Sequence, residues 1–364
     1  MAILLEYFKE VKDFRIERKR LYSLEEILLC GLVGTLAGCD DWIELVDFCN
    51  ERIDFLREYL PYENGIPSDD TFRRVFSHLD SKQFQECFTK WVCDIQEEIG
   101  VHIAIDGKTL RGSASSGKRP LHMVSAFSSE MRLVLGQCVT HEKSNEISAI
   151  PELLKIIALK DAVVTIDAMG CQKHIASDIC EAGGHYILAL KGNQKTLHRD
   201  VVDYFEDDVL TKDLEIFTTT SKEHGRIEER SIRKSSDISW LVDMHQGWSN
   251  LNTIIEIMSK RTVKEEATIE KRYYITDLKG ENLENLLKFI RSHWSIENSL
   301  HWVLDVVFKE DYNQCHVKNE AQNLAILRHT ALNLIRKNKS PKTSIKTTRK
   351  KASWSTHTLR NMLI

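Results

Sequence analysis

Residues 101–106 (VHIAID) and 162–167 (AVVTID) are two short apolar runs, each ending in a lone carboxylate, Asp106 and Asp167. Both are too short for a helix and read as buried strands. Between them lie LHMVSAFSS (121–129) and MRLVLGQCVT (131–140), a hairpin pattern with Ser/Glu turn residues, and then the amphipathic helix EISAIPELLKIIAL (146–159). After Asp167 come the helix CQKHIASDICEAG (171–183), closed by Gly183 and Gly184, and the strand HYILALKGN (185–193). Three neighbouring strands followed by alternating helices and strands predict an α/β fold with a ribonuclease H-like mixed-sheet core. In such a sheet the first and fourth strands are parallel neighbours. Asp106 and Asp167 then meet at the carboxyl ends of the strands, where ligand sites of α/β sheets lie.

Working outward, residues 1–98 read as a helical N-terminal domain. Ser23 and Glu26 form a capping box, Pro61, Gly65 and Pro67 break the chain, and Ser68 caps DDTFRRVFSHL (69–79). This last helix and KQFQECFTKWVCDIQEEI (82–99) form a hairpin, preferred to a DNA-binding helix-turn-helix because the second helix has few basic residues. The core's first part spans 99–194. Residues 195–280 form a β-rich insertion, with alternating segments HGRIEERSIRK, NTIIEIMSKR and KRYYIT. Helices return over 281–335, and 336–364 are a basic C-terminal extension.

Composition narrows the function. With 42% hydrophobic and 29% charged residues the chain is an ordinary globular protein, without the roughly 18–20 residue apolar run needed to span a bilayer. Its N-terminus has apolar residues before basic ones, the wrong order for a signal peptide, so a cytoplasmic location is expected. Nine cysteines without a C-x-x-C pair read as reduced thiols and argue against a zinc ribbon. Net charge is −4, yet the last 44 residues hold ten Lys or Arg and no acid, leaving −14 on the first 320. A basic end on an acidic body fits a polyanionic partner as well as it fits a solvated terminus.

Two carboxylates in contact repel unless a proton or a cation is shared. Oxygen ligands favour Mg²⁺, or Mn²⁺ as its substitute, over zinc, and two such ions suit phosphodiester chemistry. A third acid is expected from RSHWSIENSLHWVLDVVFKED (291–311), which offers Glu297, Asp305, Glu310 and Asp311. His293, Glu297, His301 and Asp305 recur every four residues along one stripe. An alternative zinc site of His293, Glu297 and His301 lacks the H-E-x-x-H spacing and leaves both strand-end aspartates unexplained.

The segments IAIDGKTLRGS, HEKSNEISAIPELL, TIDAMGCQ, YILALKGNQ, HGRIEER, RYYI and HWSIENSLHWVLDVVFKED occur in that order. Together with ENGIPSDDTFRRVF, they resemble the H-repeat-associated insertion-sequence transposases of bacteria, part of the DDE superfamily. The resemblance runs from about Tyr7 to Ile335. It implies that Asp106, Asp167 and Glu297 are the three catalytic, metal-binding acids, and that Mg²⁺-dependent cleavage at the ends of an element is followed by strand transfer into target DNA. It also implies terminal inverted repeats as partners, a homodimer on DNA and a nucleoid-associated location. The DNA-contact candidates are Lys108, Arg111, Lys143, Lys191, Asn193, His224, Arg226 and Arg291. Better-known relatives carry a Tyr, Arg and Lys around the final Glu. Here Lys288 stands at the Tyr position, Arg291 lies six residues before Glu297, and Leu304 seven after it. Alternatives are a structure-specific nuclease of the same fold and a transposase retained only for DNA binding. Trp248, in a loop-like stretch of the insertion, is read as an anchor to the core, with stacking on a displaced base as the alternative.

Overall fold

The computed structural model describes residues 2–95, 102–115, 117, 119–140, 146–223, 226–263, 266–340 and 342–363. Nine strands form one mixed sheet: β1 (His102–Leu110), β2 (Leu121–Ser128), β3 (Leu133–Thr140), β4 (Val163–Ile166), β5 (His185–Leu190), β6 (Ile216–Glu223), β7 (Arg226–Ser235), β8 (Thr253–Val263) and β9 (Glu266–Thr276). Their order is β3-β2-β1-β4-β5-β9-β8-β7-β6. The first five have the ribonuclease H-like arrangement: β1, β4 and β5 are parallel, and β2 and β3 antiparallel.

One expectation needs adjusting. β1 does not stop at Asp106. Its parallel pairing with β4 ends at Ile105 opposite Ile166, but its antiparallel pairing with β2 continues to Leu110. Asp106 therefore lies where one neighbour ends and the other persists.

The insertion strands continue this sheet, since β9 pairs antiparallel with β5. Among the elements of that region that escaped the sequence reading are the helix Lys195–Glu206 that follows β5, and the edge strand β6. The helix shows a helical period in its buried Leu197, Val201, Tyr204 and Phe205, a signal that the sequence reading passed over, whereas β6 is mostly threonine and charge. Residues Ile232, Ile255 and Ile257 of β7 and β8 pack with Leu283, Leu286, Leu287 and Ile290 of the helix Leu283–Ser295. Trp248 is 7% exposed and belongs to the main core, so it anchors the insertion and does not offer a stacking surface.

The N-terminal helices form as their caps predict. Ser23 and Glu26 make the reciprocal capping box of the helix Leu24–Ala37, and Ser68 caps Asp69–His78. The helix Glu320–Asn338 ties them to the sheet. Asn323 donates to the carbonyls of Phe76 and Leu79 at 2.8 and 3.0 Å, and Trp42 donates to Glu320 at 2.9 Å. The helices Asp69–His78 and Ser81–Ile95 bury Phe72, Phe76, Phe84, Phe88 and Trp91, as a packed hairpin does.

The C-terminal basic segment is not a free tail. The helices Ile345–Trp354 and Thr356–Met362 bury Ala352, Leu359 and Met362. Arg349 is buried too, giving hydrogen bonds to the carbonyls of Thr35 and Val307. Lys342, Lys346, Lys350 and Lys351 remain exposed.

On the opposite edge of the sheet, fully buried Asn333 donates to the Val134 carbonyl and accepts from its N–H, both at 2.9 Å. Asn333→Leu would leave both backbone groups buried and unpaired, at about 1–3 kcal/mol each. The melting temperature should fall by several degrees in a thermal scan; an unchanged value would remove Asn333 as the lock on this edge.

Candidate active site of acids and histidines

Asp106 and Asp167 each follow the last pair of the parallel β1–β4 ladder, Asp106 within β1 and Asp167 just past β4. Asp167 turns the chain: its Oδ1 accepts from the N–H groups of Met169 and Gly170 at 3.0 and 3.3 Å, capping the 3₁₀ turn Ala168–Gly170. Burial raises the Asp106 carboxyl above its usual range; the charge of Asp167 adds to this, and His301 and His293 oppose it.

The third acid comes from the opposite side. The helix Leu283–Ser295 runs into a π-helical turn, Ile296–His301, in which Trp302 N–H bonds the Glu297 carbonyl five residues back. Such turns insert one extra residue and often mark functional sites. The members of the stripe His293, Glu297, His301, Asp305 do not act as one set, because only Glu297 and His301 pair with each other. His293 Nδ1 meets Thr165 Oγ1 at 3.0 Å, and the same hydroxyl meets His102 Nε2 at 2.9 Å. His301 Nδ1 lies 3.0 Å from Glu297 Oε2 and 3.6 Å from Asp106 Oδ2. Ligand atoms of Asp106, Glu297 and His301 all fall within 4.8 Å of one another. The hydrogen bond from His301 lowers the Glu297 carboxyl, keeping it anionic. Asp305 pairs with Lys108.

The alternative zinc triad is thereby divided, because His293 turns to Thr165 while His301 turns to Glu297. The donor set does fit a hard divalent ion: two carboxylates and an imidazole converge, and Asp167, which is not in that group, acts on Asp106 as a lesser like charge.

Behind this cluster, Gly107 is a position where a side chain has no room. An added Cβ would lie 2.6 Å from Glu146 Oε1 and collide with His122. His122 and Glu146, both buried, contact each other there, and His122 Nδ1 meets Thr109 Oγ1 at 3.0 Å. Glu146 lies in the HEKSNEISAI segment, but nothing local in the sequence indicates that it reaches the back of the first strand.

Residues 98–334 match the family model described as "Transposase DDE domain", and residues 5–92 match its associated N-terminal model, "DDE_Tnp_1-associated". The chain belongs to the DDE transposase family. It is 42% identical to "Putative transposase YncI" of Escherichia coli O157:H7, over 97% of this chain and 92% of that protein. It is 37% identical to "H repeat-associated putative transposase YhhI" of Escherichia coli strain K12, over 99% and 97% of the two chains. A shorter relative from the same strain, "Inactive transposase YbfQ", is 36% identical over 74 residues, covering 20% of this chain and 88% of its own. Among solved structures, a piggyBac transposase in a synaptic complex with hairpin DNA aligns with a TM-score of 0.48 and 13% identity, over all of this chain and 81% of that one.

The DNA-contact candidates of this DDE-family chain divide by environment. Lys191 and Arg291 are exposed, and Arg111 is 82% exposed beside Asp311 at 3.7 Å. Asn193 is exposed, and its amide bonds the Ala168 carbonyl next to Asp167. Arg226 is partly buried and 3.5 Å from Glu228. Lys143 and His224 lie outside the described residues. Lys108 corrects an expectation. It is 10% exposed and faces Asp305, Glu310 at 2.6 Å and Asp311 at 3.9 Å, so it is held by carboxylates and not presented to DNA. Those acids come from about 200 residues downstream, out of reach of any local reading.

Removing Lys108 would strand buried acids, and breaking one side of a buried ion pair costs about 3–5 kcal/mol. Lys108→Met should lower the melting temperature clearly while leaving the salt dependence of DNA binding unchanged. A reduced salt slope with normal stability would return Lys108 to the DNA-facing set.

Proposed function

We propose that this DDE-family chain cleaves the ends of an insertion sequence and joins the exposed 3′-hydroxyls to target DNA, using Asp106, Asp167 and Glu297. The observation that carries this reading is the convergence of Asp106 with Glu297 just past the last pair of the β1–β4 ladder, the point at which Asp167 follows β4. Asp106 and Asp167 would hold one Mg²⁺, and Asp106 with Glu297 another, with Mn²⁺ as a substitute. Bound there, the ions supply Lewis acidity to the phosphodiester and to the attacking oxygen.

The remaining roles fall to the chain's own groups. Asp167 keeps its direction through the two backbone N–H groups it caps, and Asn193 braces the same turn through Ala168. His301 fixes the carboxylate of Glu297. Thr165 and His102 hold His293 beneath the two strand ends. Lys191, Arg111 and Arg291 are exposed cations suited to phosphate contact, which positions DNA without reading its sequence. Inverted-repeat ends and target DNA would be the partners, with a homodimer as the unit that joins two ends.

The test uses purified protein, DNA carrying its flanking inverted repeats, and Mg²⁺. Asp106→Asn, Asp167→Asn and Glu297→Gln should each reduce cleavage by on the order of 10³-fold or more, while DNA affinity changes little. Cutting without joined products would favour the structure-specific nuclease. Tight binding without cutting by the unmodified protein would favour a DNA-binding role. Normal cleavage by Glu297→Gln would refute the third assignment.

The exposed C-terminal lysines generate a separate expectation. Lys346→Glu, Lys350→Glu and Lys351→Glu together should weaken binding to all sequences alike and reduce the slope of log K against log salt by about one per lost phosphate contact. An unchanged slope would return this face to solvent.

A further inference from the structure

His301 does more than neighbour the acids. The ring is 4% exposed, and its Nδ1 is placed between a β1 carboxylate and a helix carboxylate, 3.6 and 3.0 Å away. No other histidine nitrogen among the described residues falls within such a group of convergent ligand atoms. His293 is committed to Thr165 through its Nδ1. The second nitrogen of His301, Nε2, is buried and finds no protein partner among the described residues. Nearby buried groups are orphaned in the same way. They include Nδ1 of His329, whose charge couples to His301, and both amide atoms of Gln137, which continues the cross-sheet row Asp106–Ser125–Gln137. A buried polar layer of this kind is where internal water resides. A metal-bound imidazole typically gives its other N–H to such a partner.

We propose that His301 Nδ1 is a direct ligand of the ion held by Asp106 and Glu297, and that this nitrogen makes the site prefer Mn²⁺ or Co²⁺ to Mg²⁺. The inference rests on the carboxylate metal site proposed above and adds a ligand to it. Imidazole binds first-row transition ions more readily than Mg²⁺, which takes oxygen ligands and dehydrates reluctantly. The neutral ring, with its hydrogen on Nε2, turns a lone pair toward the two acids. The same geometry without an ion makes Nδ1–H the donor to Glu297, so one rotamer serves both states.

The test is pulsed electron paramagnetic resonance of the Mn²⁺-loaded full-length protein, which reads the coupling of a directly bound ¹⁴N, with metal affinities measured by calorimetry. The wild type should show one nitrogen coupling, retained in His293→Gln and lost in His301→Gln. Mn²⁺ should bind about tenfold or more tightly than Mg²⁺, and His301→Gln should shrink that ratio toward unity. Mn²⁺ bound in an Asp106-dependent manner without nitrogen coupling would overturn the His301 assignment and leave the carboxylate site standing. Coupling that survives His301→Gln would also overturn it. No Mn²⁺ binding, or binding unaffected by Asp106→Asn, would overturn the carboxylate site and this inference together.

Discussion

The parallel register of β1 against β4 is the constraint on which the site depends. Ile105 opposite Ile166 is the last pair, and the next residue of each strand is an aspartate. Strand geometry alone places the two carboxylates at one level, because both chains run in the same direction and stop pairing together. Beyond that point β1 is held only by β2, and β4 turns away under the Asp167 cap. The arrangement is costly for Asp106, whose carboxyl is raised by burial and by its neighbour. A carboxylate buried in this way, offset only in part by His301 and His293, is what a cation would stabilise.

Opposing the two aspartates with a third acid requires a support for the helix Leu283–Ser295, and the insertion supplies it. Ile232, Ile255 and Ile257 of β7 and β8 share one apolar cluster with Val163 of β4, Ile187 of β5 and the buried face of that helix. The strands between residues 216 and 276 are thus continuous with the core sheet through β9 and β5, and support the helix that leads into Glu297.

The parts of this architecture legible in the sequence are those set by local pattern. Short apolar runs ending in Asp106 and Asp167, the capping residues Ser23 and Ser68, and the four-residue stripe from His293 to Asp305 depend on neighbours in the chain. What the stripe touches does not. Its members are assigned by a π-helical turn that has no signature in IENSLH and by strands far away in sequence. Lys108 was expected to face DNA because it follows Asp106 at a strand end, but acids at 305, 310 and 311 enclose it. The pairing of His122 with Glu146 against Gly107 was equally invisible, since each residue alone is an ordinary strand or helix residue.

The basic C-terminal segment shows how charge composition can conceal a structural role. Arg336 gives hydrogen bonds to the carbonyls of Arg132 and Ser299, and its guanidinium lies 5.1 Å from the Phe127 ring. Arg349 bonds the carbonyls of Thr35 and Val307, 4.2 Å over Phe308. Ser299 and Val307 bracket His301 and Asp305, so two arginines hold the stretch that follows Glu297 on either side of these two residues. Buried guanidinium groups bonded to carbonyls lose hydration, and burial lowers Arg336 to about 9 and Arg349 to about 10. The residues that contribute most to the positive end of the chain are therefore not interchangeable. Lys342, Lys346, Lys350 and Lys351 offer charge to solvent, whereas Arg336 and Arg349 are spent inside. A polyanion bound by those lysines would sit on the helix whose Arg349 holds Val307, close in sequence to the candidate acid cluster.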